Sequence, residues 1–261
     1  MQGARYSQSL ERGLAILGCF TPDQPVLGIA DIAKNLGMSH STVHRYAISL
    51  VALGFLKQSA SYTYRLNLRV TNLGMSALNS TGLREHARPY LEELRRRCTY
   101  TTSLATLDGT EILYMARARS FRRGQNKIDL NLRIGSRLPA HCTSMGKVLL
   151  ANLPEVVRRK TIRDMVLTRC GPNSITSKKI LASELQGVSE NGIAVNDQEL
   201  ASGLVSIACP LRCESQEVVA AINLAAHTSM ISVEDLVDQL SPHLLFTADA
   251  VSARLGFRRG N

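Results

Sequence analysis

The chain has 261 residues, 44% of them hydrophobic, and 31 Lys and Arg against 21 Asp and Glu, for a net charge of +10. That length exceeds a usual single domain, and a basic balance favours a polyanion partner through phosphate attraction and counterion release. No stretch approaches the roughly twenty apolar residues a bilayer span needs, and the opening MQGARYSQS lacks a signal-peptide apolar core, so a cytoplasmic protein with no membrane contact is expected.

Residues 7 to 20, SQSLERGLAILGCF, read as a leading helix, with Ser9 as N-cap and Leu10, Leu14, Leu17 and Phe20 as its apolar stripe. Residues 28 to 56 then read as two short helices around a tight turn at Leu36-Gly37-Met38. Ile29, Ile32, Ala33 and Leu36 give the first helix one buried face. Gly37 takes a positive φ at low cost, and Ser39 caps the second helix. That helix points Val43, Ala47, Leu50 and Leu53 inward and carries His40, Ser41, Thr42, His44 and Arg45 near its start. A polar N-terminal half on such a helix suits the DNA major groove, whereas the competing reading is a helical hairpin inside a core.

The hairpin that follows favours the first reading. Phe55 to Gln58 and Tyr62 to Leu66 are short runs rich in aromatic and apolar residues, parted by Ser59-Ala60-Ser61. Helix, turn, helix and hairpin together make a winged helix-turn-helix over residues 1–67, and Lys57 and Arg65 are the wing's candidate phosphate contacts. Charge alone does not single out this region. Residues 1–70 hold seven Lys and Arg against three Asp and Glu, and much of the remaining surplus lies in Arg95 to Arg97 and between Arg117 and Arg123.

Residues 68–82 are expected to form a linker helix whose Val70, Leu73 and Leu78 need an apolar partner, most naturally a second subunit. From residue 83 to 261, helices and strands alternate. An amphipathic helix (86 to 98) buries Tyr90, Leu91 and Leu94 and turns Arg95 to Arg97 outward. A hairpin turns at Asp108-Gly109. Helices are expected over Thr143 to Leu150, Lys178 to Asn191 and Ser232 to about Leu255, and paired strands over Leu204 to Leu211 and Val218 to Leu224. The result is a mixed α/β chain of two domains, the second an α+β sensor similar to the GAF fold.

The six cysteines are scattered without a CxxC pair, and none has the spacing of a zinc site, so no metal or cofactor is expected. His141 beside Cys142 and Ser144 raises nucleophilic catalysis, but sequence neighbours rarely have the geometry of nucleophile and base. No GxSxG, P-loop or HExxH occurs, so an enzyme is not expected. A redox sensor built on Cys142 is a further alternative.

SLERGLAIL (9–17), IADIAKNLGMSHSTVHR (29–45), LPAHCTSMGKVLLA (138–151), ENGIAVNDQELASGLVSIACPL (190–211) and EVVAAINLA (217–225) together resemble the isocitrate-lyase-regulator (IclR) family, across nearly the whole chain and in order. The wording of CTSMGKVLLA and VNDQEL is most similar to the branch that regulates aromatic-acid and β-ketoadipate catabolism. The resemblance implies a transcription factor that binds a palindromic double-stranded operator as a homodimer or homotetramer and responds to a small organic acid. It implies DNA contacts from Ser39, His40, Ser41, Thr42, His44 and Arg45, although His40 and the wing tip Ser-Ala-Ser depart from common members. Carried over to this chain, the implied effector residues are Ser144, Met145, Asn196, Ser206, Asn223 and Ala225. Arg137 and His141, with Arg133 behind them, would supply countercharge, and Leu138, Met145 and Leu204 apolar walls.

Overall fold

The computed structural model describes residues 7–80, 82–121 and 130–258, except the Leu78 side chain. Arg5, Arg122 and Arg123 of the charge pattern, and the inward role expected of Leu78, lie outside the described residues. Contacts divide the chain into two compact units, Met1–Ser80 and Thr81–Asn261.

The first unit runs α1 (Gln8–Gly18), α2 (Ile29–Leu36), α3 (His40–Ala52), β1 (Leu56–Gln58), β2 (Tyr64–Leu66) and α4 (Arg69–Asn79). Its core joins Ile16, Phe20, Ile32, Val43, Ala47, Leu50, Leu56 and Tyr64. Gly37 is left-handed at φ 63°, so α2 stops where a side chain with Cβ would be strained and α3 can start on Ser39. Leu27 and Tyr64 exchange backbone hydrogen bonds of 3.0 and 2.8 Å, tying the segment before α2 to the wing.

Three details differ from the sequence reading. The N-cap of α1 is Ser7, whose side chain accepts from Leu10 N, rather than Ser9. Leu10 and Leu14 are 64% and 58% exposed, and Ile16 is buried instead. Of the expected stripe, Leu17 and Phe20 do pack with the core beside Ile16, which lies one helical step, about 100°, from Leu17. Leu53 is exposed because α3 ends there.

The second unit is a six-stranded antiparallel sheet in the order β5-β4-β3-β8-β7-β6. Its strands are β3 (Thr101–Asp108), β4 (Glu111–Ala118), β5 (Arg137–Pro139), β6 (Ala194–Asp197), β7 (Leu204–Arg212) and β8 (Val218–His227). Strand alternation sends successive side chains to opposite faces. Thr102 Oγ1 donates to Leu91 O of α5 (Leu83–Cys98), and Cys209 Sγ meets Leu244 O of α9 (Val233–Arg254), so those helices cover one face. On the other face Ala105, Ala208 and Ala221 pack in one cluster with Met145, Val148 and Leu149 of α6 (Ser144–Ala151) and Leu181 and Leu185 of α8 (Lys178–Asn191).

α7 (Glu155–Asp164), β5 and β6 were not anticipated from sequence. α7 buries a single residue, Ile162, and so shows no apolar stripe. β5 and β6 have three and four residues, too few for a period to register.

Candidate functional site: an exposed polar helix start and a polar cavity

The start of α3 is built by its cap. Ser39 Oγ accepts from Thr42 N at 3.3 Å and lies 2.8 Å from Thr42 Oγ1 and 3.2 Å from Ser41 Oγ. Thr42 is half-buried and its hydroxyl closes onto this cap, while His40, Ser41, His44 and Arg45 are exposed. Spacing of four residues stacks His40 over His44 and Ser41 over Arg45 on neighbouring turns. Arg45 extends over the Tyr46 ring at 5.6 Å. In the wing, Lys57 and Arg65 are register partners and both are exposed. Like charges directly opposite across strands are destabilising, and among the described residues neither has an ion-pair partner. An anion lying along the wing would relieve that repulsion.

The second unit holds a cavity over the α6 face of its sheet. Register explains its lining. Asn196, Ser206, Ala225 and Thr101 are successive partners across β6, β7, β8 and β3, and so form one row. Ala208, Asn223, Ser103 and Arg117 form the next row. Ser144, at the first turn of α6, reaches Ser206 Oγ at 2.8 Å. Thr143 caps α6 by accepting from Gly146 N at 3.0 Å. Gly146 is required here, because a Cβ would stand 2.1 Å from Ala140 O.

Asn196 is structural as well as lining: its Nδ2 donates to Cys142 O at 2.6 Å and its Oδ1 accepts from Glu199 N at 3.3 Å. Asn223 Oδ1, by contrast, is buried with no hydrogen-bond partner among the described residues. An unsatisfied buried acceptor is costly, so this atom suits a donor brought by a ligand. Tyr114, Arg117 and Arg119 line the side towards β4, and Leu130, Leu132, Leu200 and Leu204 supply apolar walls. Burial pushes the Tyr114 phenol up to about 12, so it remains a neutral hydroxyl. Arg117 Nη1 donates to Leu132 O at 3.0 Å, which holds the segment after β4 against that strand.

Of the effector residues expected from sequence, Ser144, Asn196, Ser206, Asn223 and Ala225 line this cavity, together with the expected wall residue Leu204. Arg137, His141 and Met145 are placed elsewhere. Arg137 is exposed at the hairpin, paired with Asp108 and Glu111. His141 is buried with Nε2 3.0 Å from Thr168 O. Met145 follows Ser144 by one helical step and points into the core cluster, where Leu138 also packs. Arg133 reaches Asn131 Oδ1 at 3.3 Å. Among the described residues, the cations that line the cavity are Arg117 and Arg119. Ser103 and Arg117 pair directly on the cavity face, but a β-bulge between Leu104 and Ala105 shifts the register set by the Asp108-Gly109 turn, so alternation along the hairpin alone would have set Ser103 opposite Ala116.

Behind the cavity, Lys147 is 1% exposed and bonds Glu199 at 2.5 Å and Glu184 at 3.0 Å. Burial pushes the Glu199 carboxyl up, against the pull of the Lys147 ammonium. The structure also brings His141, Cys142 and Cys170 together, with ligand atoms within 4.8 Å of one another. The His141 imidazole bonds Thr168 O rather than Ser144 or Cys142, and the Ser144 hydroxyl bonds Ser206. Cys142 is buried, and burial pushes its thiol up, whereas a peroxide-reactive cysteine needs a lowered one.

A winged helix with an exposed polar helix start, and a polar cavity in a separate α+β unit, define a ligand-responsive DNA-binding regulator. The family model for the IclR helix-turn-helix domain matches residues 9–60, and that for the bacterial transcriptional regulator IclR C-terminal domain matches residues 75–253; the chain belongs to the IclR family of transcriptional regulators. It is 35% identical over 240 residues to the Pca regulon regulatory protein of Pseudomonas putida, covering 92% of this chain and 81% of that protein. It is 32% identical over 247 residues to the p-hydroxybenzoate hydroxylase transcriptional activator of Acinetobacter baylyi, covering 94% and 90%. The crystal structure of an IclR homologue from Microbacterium hydrocarbonoxydans complexed with 4-hydroxybenzoate superposes with a TM-score of 0.81 at 25% identity, covering 95% of this chain and 99% of that one. Among the described residues no helix is long and apolar enough to cross a membrane.

Proposed function

We propose that this regulator reads its operator with the exposed face of α3, through His40, Ser41, His44 and Arg45, while Ser39 and Thr42 hold the helix start in shape. Lys57 and Arg65 of the wing hold the phosphate backbone. In this reading residues 1–67 bind DNA, 68–82 link, and 83–261 sense the effector. It acts as a homo-oligomer, because two half-sites multiply a modest affinity. It works in the cytoplasm, where its operator is, and is not an enzyme.

The effector is an aromatic carboxylic acid that carries a hydroxyl. The observation that carries this reading is a cavity with Arg117 and Arg119 at one side, leucine walls, and the unsatisfied acceptor of Asn223. A carboxylate suits the arginines and the capped start of α6. The ring suits the leucines, and the hydroxyl would donate to Asn223 Oδ1. The relatives named for hydroxybenzoate and Pca regulation support the same class.

Thermal-shift titration with 4-hydroxybenzoate, benzoate and succinate tests the assignment. The hydroxylated aromatic acid should stabilise most, by ~2.7 kcal/mol at a concentration 100 times its Kd, and Ser206→Leu should remove the shift. An equal response to all three acids, or an unchanged response in Ser206→Leu, contradicts it.

A further inference from the structure

We infer that His141, Cys142 and Cys170 form a zinc site, outside the effector cavity and independent of what the cavity binds. Cys142 Sγ and Cys170 Sγ are 3.2 Å apart. All three ligand atoms lie within 4.8 Å of one another, and among the described residues this is the one such group of His, Cys, Asp and Glu. A tetrahedral zinc with Zn–S of about 2.3 Å holds two sulfurs about 3.8 Å apart, so the pair need open by only about half an ångström. Two thiolates and an imidazole select zinc over the hard cations magnesium and calcium, and three protein ligands leave a fourth position for water.

The surroundings hold these groups in place. His141 Nε2–H can donate to Thr168 O at 3.0 Å, which leaves the Nδ1 lone pair for a metal, a usual second interaction of metal-bound imidazoles. The Cys142 carbonyl accepts from Asn196 Nδ2 at 2.6 Å. Cys170 N and Gly171 N each donate to Ser174 Oγ at 2.8 Å, and that hydroxyl donates to Glu199 O at 2.6 Å. The two cysteines therefore sit on separately braced segments. Cys170 is exposed, which gives an ion a route in, while Cys142 is fully enclosed. The sequence hides the site because Cys170 lies 28 residues beyond Cys142 and the three ligands share no motif spacing. A bound ion would clamp the segment before α8 to the turn that leads into α6.

Untagged full-length protein, stripped with a chelator and kept in a non-thiol reductant, is titrated with cobalt(II) and then with zinc. One cobalt per chain should bind with a thiolate charge-transfer band and tetrahedral visible bands, and zinc should displace it. Cys170→Ser, at an exposed position, should keep its fold and its operator binding. It should lose the charge-transfer intensity and weaken zinc binding more than about 100-fold, beyond what outer-shell partners contribute. Cys213→Ser should behave as the parent. A pale octahedral cobalt spectrum, or an unchanged one in Cys170→Ser, would overturn the site.

Discussion

Gly146 and Lys147 show how few atoms position the cavity. Gly146 lets α6 approach within contact of the Ala140 carbonyl, where a methyl group would overlap the backbone. Gly146→Ala should therefore destabilise the second unit by ~1–3 kcal/mol, the usual cost of overpacking, read as a lower urea midpoint. Lys147→Met leaves the Glu199 carboxylate buried without its partner and should cost ~3–5 kcal/mol. Equal denaturation curves for parent and Lys147→Met would mean the pair contributes nothing. The motif residues were legible as a group, but their directions were not. Ser144, Asn196, Ser206 and Asn223 line the cavity, whereas Met145 and His141 sit in the same motif and face the core. One residue of helical rotation separates Ser144 from Met145, and only the packed sheet decides which of the two faces it. Arg137 stands next in sequence to the motif, yet it is drawn to Asp108 and Glu111 across the hairpin.

At the scale of elements, α3 and the wing make separable contributions. Arg45 is exposed near the start of α3, and in the proposed reading Arg45→Ala should weaken operator binding by ~1–3 kcal/mol. Thr42→Ala acts differently: its hydroxyl bonds the Ser39 cap, so much of its effect should show as lost helix stability. Lys57→Ala and Arg65→Ala should each lower the slope of log affinity against log salt by about one while leaving sequence preference unchanged. A salt slope unaltered in both variants would remove the wing from the interface. The helix-turn-helix was readable because glycine, cap and apolar period agree over residues 28 to 56. The long helices α8 and α9 were readable for the same reason. β5, β6 and α7 were not, since short or polar elements acquire their structure from the sheet and helices that receive them.

In the whole molecule, the helix proposed to read the operator and the cavity proposed to take the effector belong to different compact units. An effector can alter operator affinity only if it binds the DNA-competent arrangement with a different affinity from the alternative. Reciprocity then requires operator DNA to alter effector affinity by the same factor. The most direct test measures the affinity of the full-length protein for an operator duplex, selected by that protein from a random pool, with and without saturating 4-hydroxybenzoate. Parent, Arg45→Ala and Ser206→Leu would be compared side by side. The parent's affinity should change with the acid, Arg45→Ala should bind DNA more weakly but still bind the acid, and Ser206→Leu should match the parent on DNA but ignore the acid. Parent-like operator binding by Arg45→Ala together with an intact acid response in Ser206→Leu would contradict the account.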